Sequence, residues 1–485
     1  MKNLFPVLAL VLLCSCNNQE QPNYDLVILN GKVVDPASGM DKVMNIGINA
    51  DTIAAISTNE LKGAKVIDAS DKTVIPGFID LHTHTPFPYG ESLQVQDGVT
   101  TSLDLEAGAH PQTGYGKFLE GKAKANYGAS VAHYAARIKV IEDRDQPYAI
   151  TEEGAMLPGA AFVQVATAEE IEEMRKILDE GINEGGLGIG LLLDYMSPAI
   201  SDGELRMVFE VAKKRNVVVW AHIRRGINGD IKGLKDVLDL SLELGTPLHI
   251  CHINANAMGE VGNWLKAIDE ANANGADISV EIFPYTAGST SISADVFDRD
   301  WQTIFNITYE DVQWSNTGEW FTKESWEEKR KTHPESFIIH HYMKEEWIQE
   351  ALKYPTMMVA SDATPAVDPE VKANPNVPGS FTRIFEKYVK EDGLLTLSDA
   401  VARCSYYPAK RLETFAPIFK KKGRIAVGAY ADLLLFELDN LKVQATYTDP
   451  NNPSVGWDYV LVNGKVVIDN GEFTQETPGR QMLAK

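Results

Sequence analysis

The sequence predicts an α/β fold: a (β/α)8 TIM barrel carrying a small β-sandwich domain formed by both chain ends. Three observations lead there. Eight apolar, strand-like runs between residues 74 and 361 alternate with helical patterns, as in a parallel sheet wrapped by helices. Short strands broken by Asn-Gly recur near both ends, at 30–31 and at 463–464. Histidines and carboxylates stand where five of the runs end, and a barrel draws its site residues from the carboxyl ends of several strands.

Composition narrows the classes. The chain has 485 residues, 44% hydrophobic and 23% charged, a globular balance with length for more than one domain. A formal charge of −23 argues against nucleic acid as a partner. At the N-terminus, Lys2 precedes an apolar run from Leu4 to Leu13, too short to span a bilayer. Leu13-Cys14-Ser15-Cys16 and a polar stretch follow. This resembles a bacterial lipobox, with residues 1–15 as lipoprotein signal peptide, lipid on Cys16 and 16–23 as linker. Cys14 fits less well, because bulky Leu13 would precede the cut. The expected location is the bacterial cell envelope, periplasm or surface, with a plain secreted protein as the alternative. Beyond the signal only Cys251 and Cys404 remain, which is no disulfide framework, and Cys251 reads as a small core residue.

Residues 24–75 read as the first part of the β-domain. Asp25–Leu29 and Lys32–Val34 flank Asn30-Gly31, a hairpin signal, and further strands run over 44–48 and 52–56. Residues 421–485 repeat this pattern, with strands over 431–436 and 459–467. Between them, 76–420 form the barrel. Its strands are expected at 74–82, 99–105, 129–134, 186–191, 217–222, 247–252, 278–283 and 357–361. Helical spacing runs over 167–183, where Ile171, Met174, Leu178 and Ile182 share a face. A capping box at Ser201 and Glu204 starts the helix over 205–215, and helices over 231–244 and 258–274 follow. Two segments exceed ordinary loop length: 141–165, and 287–350 with Trp301, Trp314, Trp320, Trp326 and Trp347. The second reads as a lid-like insertion or as a surface excursion whose tryptophans pack on each other.

The strand ends carry the chemistry. Strand one gives His82 and His84, strand two Glu106, strand five His222, strand six His252 and strand eight Asp362. Residues two apart on a strand face one side, so His82 and His84 can share an ion. The alternative for a lone histidine on an apolar run is a hydrogen-bonded core residue. Imidazole with carboxylate suits zinc and tolerates other first-row ions, one or two of them, with Glu106 placed to bridge. Strand four contains no lysine, so it offers no modified-lysine bridge. Asp362 can bind a metal and accept a proton from a water whose pKa a metal lowers to about 7. Metal-assisted hydrolysis of an amide is the reaction class these residues imply.

Several motifs carry a family resemblance. Pro76-Gly77-Phe78-Ile79-Asp80-Leu81-His82-Thr83-His84 resembles the opening of the amidohydrolase superfamily. Trp220-Ala221-His222-Ile223-Arg224, Phe283-Pro284-Tyr285-Thr286-Ala287-Gly288-Ser289-Thr290, Phe381-Thr382-Arg383-Ile384-Phe385, Gly428-Ala429-Tyr430-Ala431-Asp432-Leu433 and Thr477-Pro478-Gly479-Arg480 resemble the N-acyl-D-amino-acid deacylases (D-aminoacylases) within it. The resemblance implies a zinc-dependent hydrolase acting on carbon–nitrogen bonds other than peptide bonds. It implies His82 and His84 on one metal, His222 and His252 on the other, and Asp362 as general base, then proton donor. It implies that Tyr285, Ser289 and Arg383 hold the substrate carboxylate. The chain departs from the family twice. Glu106 stands where the family has a cysteine ligand, which makes the site harder. Asn254 stands where the family has a lysine that helps hold the carboxylate, and is expected at the substrate in its place, without the charge.

The expected partner is a small N-acyl amino acid or a related amide. Two rivals stand beside the deacylase: a cyclic-amide hydrolase of the dihydroorotase or hydantoinase kind, which Asn254 keeps open, and an inactive surface binding lipoprotein. His249 is expected to face away from His252, and His340 and His341 to belong to the insertion.

Overall fold

The structure, a computed structural model, describes residues 23–151, 154–372 and 374–485. The signal segment and Cys16 lie outside the described residues. Among the described residues no helix is long and apolar enough to cross a membrane.

The β-domain begins with β1 (Asn23–Asp35), β2 (Met40–Asn49), β3 (Thr52–Ser57), β4 (Lys62–Asp68) and β5 (Thr73–Pro76). The expected hairpin at Asn30-Gly31 does not form. Asn30 does take a left-handed φ of 62°, but β1 runs on through a register shift between Ile28 and Gly31 and keeps pairing with β2. The Asn45 side chain accepts the Asn30 N–H at 2.7 Å, so the irregular position is satisfied without reversing the chain.

The expected strand over 74–82 is likewise two strands. Pro76 ends β5, and β6 (Phe78–Asp80) starts the barrel. Gly77 is the joint: its N–H donates to Asp432 O at 2.9 Å, and a Cβ there would sit 2.3 Å from the Thr100 side chain.

The barrel continues with β7 (Val99–Ala109) and β8 (Asn126–Ala132). A short hairpin, β9 (Ile150–Thr151) and β10 (Gly154–Ala155), lies in the segment after β8. Then come β11 (Ile189–Leu192), β12 (Val219–His222), β13 (Leu248–Ile250) and β14 (Ile278–Ile282). The insertion forms a three-stranded antiparallel sheet of β15 (Gly288–Ser291), β16 (Val312–Trp314) and β17 (Phe337–His340), ordered β15-β17-β16. After it, β18 (Met358–Val359) completes a parallel sheet ordered β18-β14-β13-β12-β11-β8-β7-β6. The ring closes just beyond the first and last strands, where Asp362 N–H donates to His82 O and His84 N–H to Ala363 O, each at 2.8 Å. Closure therefore places His82, His84 and Asp362 side by side.

The C-terminal strands β19 (Leu433–Phe436), β20 (Trp457–Val462), β21 (Lys465–Asp469) and β22 (Glu472–Phe473) return to the β-domain. β19 pairs with β5, joining both chain ends in one nine-stranded sheet. Here Asn463-Gly464 does make a hairpin, with φ of 47° and 74°, as a type I′ turn requires. Leu26, Ile28, Ile46, Leu433 and Leu461 pack in its core. Each such side chain contributes roughly 1.5–3 kcal/mol by leaving water.

The helices wrap the barrel with their apolar stripes inward. Ala168–Glu184 carries a complete capping box between Thr167 and Glu170. The one expected at Ser201 is half formed. Ser201 accepts the Glu204 N–H at 3.3 Å, but the Glu204 side chain turns inward to Arg137 and to His133 Nε2. A buried guanidinium needs a paired charge more than an exposed helix end needs its second cap. In the insertion, two of the five tryptophans pack on each other. Trp301 and Trp326 pack at 5.3 Å with Phe297 and Phe305 in a separate core, and one face of the same unit covers the barrel mouth.

Candidate metal centre and its cavity

The two histidines that open the barrel lie past the end of β6, not on it. Asp80 holds the turn: its Oδ1 accepts the N–H groups of His82 and Ser361, each at 3.1 Å. His82 Nε2 and His84 Nε2 still come within 3.2 Å, their rings nearly perpendicular. Glu106 projects inward from a bulge, because the β7–β8 register shifts between Asp104 and Ala109. Gly190 on β11 makes room for that bulge: a Cβ there would lie 2.4 Å from Glu106 O. His252 and Asp362 both have left-handed backbones, at φ 32° and 50°. Non-glycine residues held so are strained, and such strain gathers at functional sites.

These six residues converge, as the strand ends suggested. Glu106 Oε2 lies 3.2 Å from His82 Nε2 and 3.4 Å from His84 Nε2. Its other oxygen, Oε1, lies 2.8 Å from His222 Nδ1 and 2.8 Å from His252 Nε2, which are 3.1 Å apart. A tetrahedral ion with bonds of 2.0–2.1 Å separates its ligand atoms by about 3.3 Å. Each trio is close to one face of such a tetrahedron, and one carboxylate serves both. The residues present therefore fit a divalent metal, with room for two ions. Asp362 Oδ1 stands 3.4 Å from His82 Nε2 and 3.9 Å from His84 Nε2, with 20% of its side chain exposed. It is the most open of the six and faces the cavity.

The electrostatics follow from burial against charge. Burial pushes the Glu106 carboxyl up, but the imidazoles of His82, His222 and His252 outweigh it and hold it well below the carboxylate range. Burial pulls His84 down, yet the Asp104 and Glu106 carboxylates raise it to about 10. Burial lowers His252. The carboxylates that raise the His84 imidazole are the negative charge that favours a cation here.

Residues outside the expected set support it. Glu281, from the middle of β14, is 1% exposed and places Oε1 2.6 Å from His82 Nδ1 and Oε2 3.2 Å from His249 Nε2. A carboxylate accepting from Nδ1–H leaves the Nε2 lone pair aimed at the ion site. Asp194 follows β11, its Oδ2 3.9 Å from His222 Nε2. Burial raises its carboxyl, and His222, Arg225 and Arg299 bring it well below the usual range. Both were readable as acids within or just after apolar runs. His249 does face away from His252, its ring packing at a tilt against Trp220 with centroids 4.8 Å apart. Cys251 is buried with a free thiol.

The cavity above the centre is lined by His84, Glu106, His222, His252 and Asp362 on the barrel side, and by Met156, Phe162, Leu192, Val296 and Phe337 as its apolar wall. Ser289 lines it too, with its hydroxyl donating to Ile338 O at 3.1 Å. His340, expected only as an insertion residue, also reaches it; burial, then the Arg225 charge, keep its imidazole well below its ordinary pKa. The other expected carboxylate-holding residues are not on the lining. Asn254 is fully buried and donates to Phe283 O at 3.1 Å. Tyr285 lies under the Arg383 guanidinium, 5.1 Å from ring centre to Cζ. Arg383 donates from Nε to Pro284 O at 2.6 Å and from Nη2 to Glu345 at 3.3 Å.

The profile of the amidohydrolase family matches residues 65–224. An N-acyl-D-glutamate deacylase of Alcaligenes xylosoxydans xylosoxydans is 27% identical, over 95% of this chain and 96% of the relative. A D-aminoacylase of the same organism is 25% identical, over 96% and 98%. In three dimensions, the N-acyl-D-glutamate deacylase of Bordetella bronchiseptica, solved with zinc and a phosphonate inhibitor that mimics the tetrahedral intermediate, superposes with a TM-score of 0.78. It is 24% identical and covers 95% of this chain and 100% of that one. Residues 65–224 thus match the amidohydrolase family profile, and the chain over nearly its whole length is similar to an N-acyl-D-glutamate deacylase and a D-aminoacylase.

Proposed function

We propose that this protein is a metal-dependent amidohydrolase that removes the acyl group from N-acyl-D-amino acids. The observation that carries the reading is Glu106, whose two oxygens each meet a pair of imidazole nitrogens. His82 and His84 would hold one ion and His222 and His252 the other, zinc being the ion this donor set suits. A divalent ion held there would polarise the amide carbonyl and lower the pKa of a water to about 7. Asp362 takes the proton of the attacking water at its carboxylate, which faces the cavity, and returns it to the leaving nitrogen. The carbon–nitrogen bond breaks as the carbon–oxygen bond forms, giving a carboxylate and a free amine. The N-acyl substrate class rests on the names of the relatives. The N-terminal pattern supports export and lipid attachment at Cys16, in residues outside those described.

The test is hydrolysis by the full chain of N-acetyl-D- and N-acetyl-L-amino acids (leucine, methionine, glutamate, aspartate), before and after chelation and after adding back zinc. Amine release from a D-substrate, lost on chelation and restored by zinc, is the expected result. Turnover that is insensitive to chelation, or none of any compound, refutes the reading. Ring opening of dihydroorotate or hydantoin in place of amine release would favour the cyclic-amide rival.

A further inference from the structure

The cavity has one fixed cation. Among the described residues that line it, Arg225 is the single lysine or arginine, against the acids Glu106, Asp194, Asp295 and Asp362. It follows β12 by three residues and leaves only 11% of its side chain exposed. The guanidinium lies over the Phe305 ring at 5.3 Å and the Tyr342 ring at 5.8 Å. Of its five N–H groups, one on Nη1 donates to Tyr342 Oη at 3.0 Å. Nε is buried without a hydrogen-bond partner, 3.5 Å from Asp194 Oδ2. Asp194 is largely committed elsewhere: its Oδ1 accepts the Arg299 Nη2–H at 2.8 Å and the Arg225 backbone N–H at 2.9 Å. Asp194 thus balances the Arg225 charge without a close hydrogen bond to it, and the rest of the guanidinium edge is left open to an acceptor from the cavity.

The positions where the resemblance places a carboxylate grip do not offer a free cation. Asn254 is neutral and spent on Phe283 O. Arg383 is off the lining, with Nε and Nη2 bound to Pro284 O and Glu345. We propose that Arg225 is the specificity residue of this chain, binding the carboxylate of the N-acyl amino acid through its open guanidinium edge. The planar fork matches a carboxylate with two parallel hydrogen bonds, which a lysine cannot do. The inference rests on the deacylase reading above and names the group on which that site would sort its substrates.

The experiment compares N-acetyl-D-leucine, suited to the apolar wall, with its neutral C-terminal amide, using the zinc-loaded full chain. Wild type should favour the acid by roughly ten- to hundredfold in kcat/KM, the range for one charge-assisted hydrogen-bonded contact. In Arg225→Met that preference should collapse to within about threefold, mainly through KM for the acid. Arg225→Lys should keep part of it. A wild type that does not discriminate, or a preference that survives in Arg225→Met, overturns the proposal. If neither compound is hydrolysed, the deacylase reading has failed for this probe, and calorimetric binding of N-acetyl-D-leucine decides the present one. At least tenfold weaker binding to Arg225→Met supports it, whereas equal affinity, or no binding to wild type, overturns it.

Discussion

Removing the Glu281 carboxylate should weaken metal binding without unfolding the barrel. Glu281 is 1% exposed and makes two contacts, at 2.6 Å to His82 Nδ1 and 3.2 Å to His249 Nε2. In Glu281→Leu, the buried Nδ1–H of His82 has no acceptor in the space the carboxylate filled. Leaving one such group unsatisfied costs about 1–3 kcal/mol. The imidazole is then free to turn or to move its proton to Nε2, the atom that faces His84 Nε2 at 3.2 Å and the ion site. Loss of a partner that orients a metal-binding histidine weakens affinity by roughly ten- to a hundredfold, or about 1.4–2.7 kcal/mol. Glu281→Gln should lose less, under about tenfold. Its amide oxygen can still accept from His82, and His249 can shift its proton to Nδ1, which has Ser279 Oγ at 2.7 Å. Apo protein titrated with zinc against a chromophoric chelator measures both affinities, with circular dichroism to confirm the fold. Zinc affinity within twofold of wild type in both variants would show that Glu281 does not orient His82, and the argument from the paired distances would fall.

Two further outcomes follow from the same reasoning. Glu91 is 1% exposed, and burial, opposed by the Ala125 N–H it accepts at 2.8 Å, raises its carboxyl to about 7. The folded state therefore holds a proton that the unfolded chain has released, and stability falls as pH rises from about 4.5 to about 7. Glu91→Gln, fixed in the neutral form, should gain up to about 3 kcal/mol on wild type between pH 5 and pH 8. Urea denaturation of both proteins at the two pH values checks this, and a stability difference independent of pH refutes it. At the N-terminus, Cys16→Ser should abolish incorporation of radiolabelled palmitate in a bacterial host, while labelling that persists would place the lipid elsewhere or reject it.

Much of the barrel was legible because its signals are local. A parallel strand buried on both faces reads as a continuous apolar run, and the surrounding helices show one apolar stripe, so the alternation survives in the sequence. Where local signals were ambiguous, pairing decided. Asn30-Gly31 and Asn463-Gly464 share one dipeptide, yet only the second reverses the chain, because β1 is held straight by β2 on one side and β4 on the other. The six residues proposed for the metal centre were legible because acids and histidines at the ends of apolar runs are conspicuous. Glu281 and Asp194 were equally conspicuous as charges but had no assignable partner until the strands were placed around the ring. Of the four positions expected at the substrate, Ser289 lines the cavity and Tyr285, Asn254 and Arg383 do not; all rested on motif likeness, which does not say where a hydrogen bond is already spent.

By itself, then, the sequence determined the order of strands and helices, the meeting of the two chain ends and the donor types at the barrel mouth. Each of these follows from the pattern of side chains along a short stretch of backbone. Only the tertiary structure decided which donors face one another and which are already satisfied. His82 and Glu281 are 199 residues apart in the chain and 2.6 Å apart in space, and the 3.5 Å gap between Arg225 Nε and Asp194 Oδ2 has no trace in either residue's neighbours. Such distances depend on ring closure and on the packing of the insertion over the barrel, and closure is a property of all eight strands together.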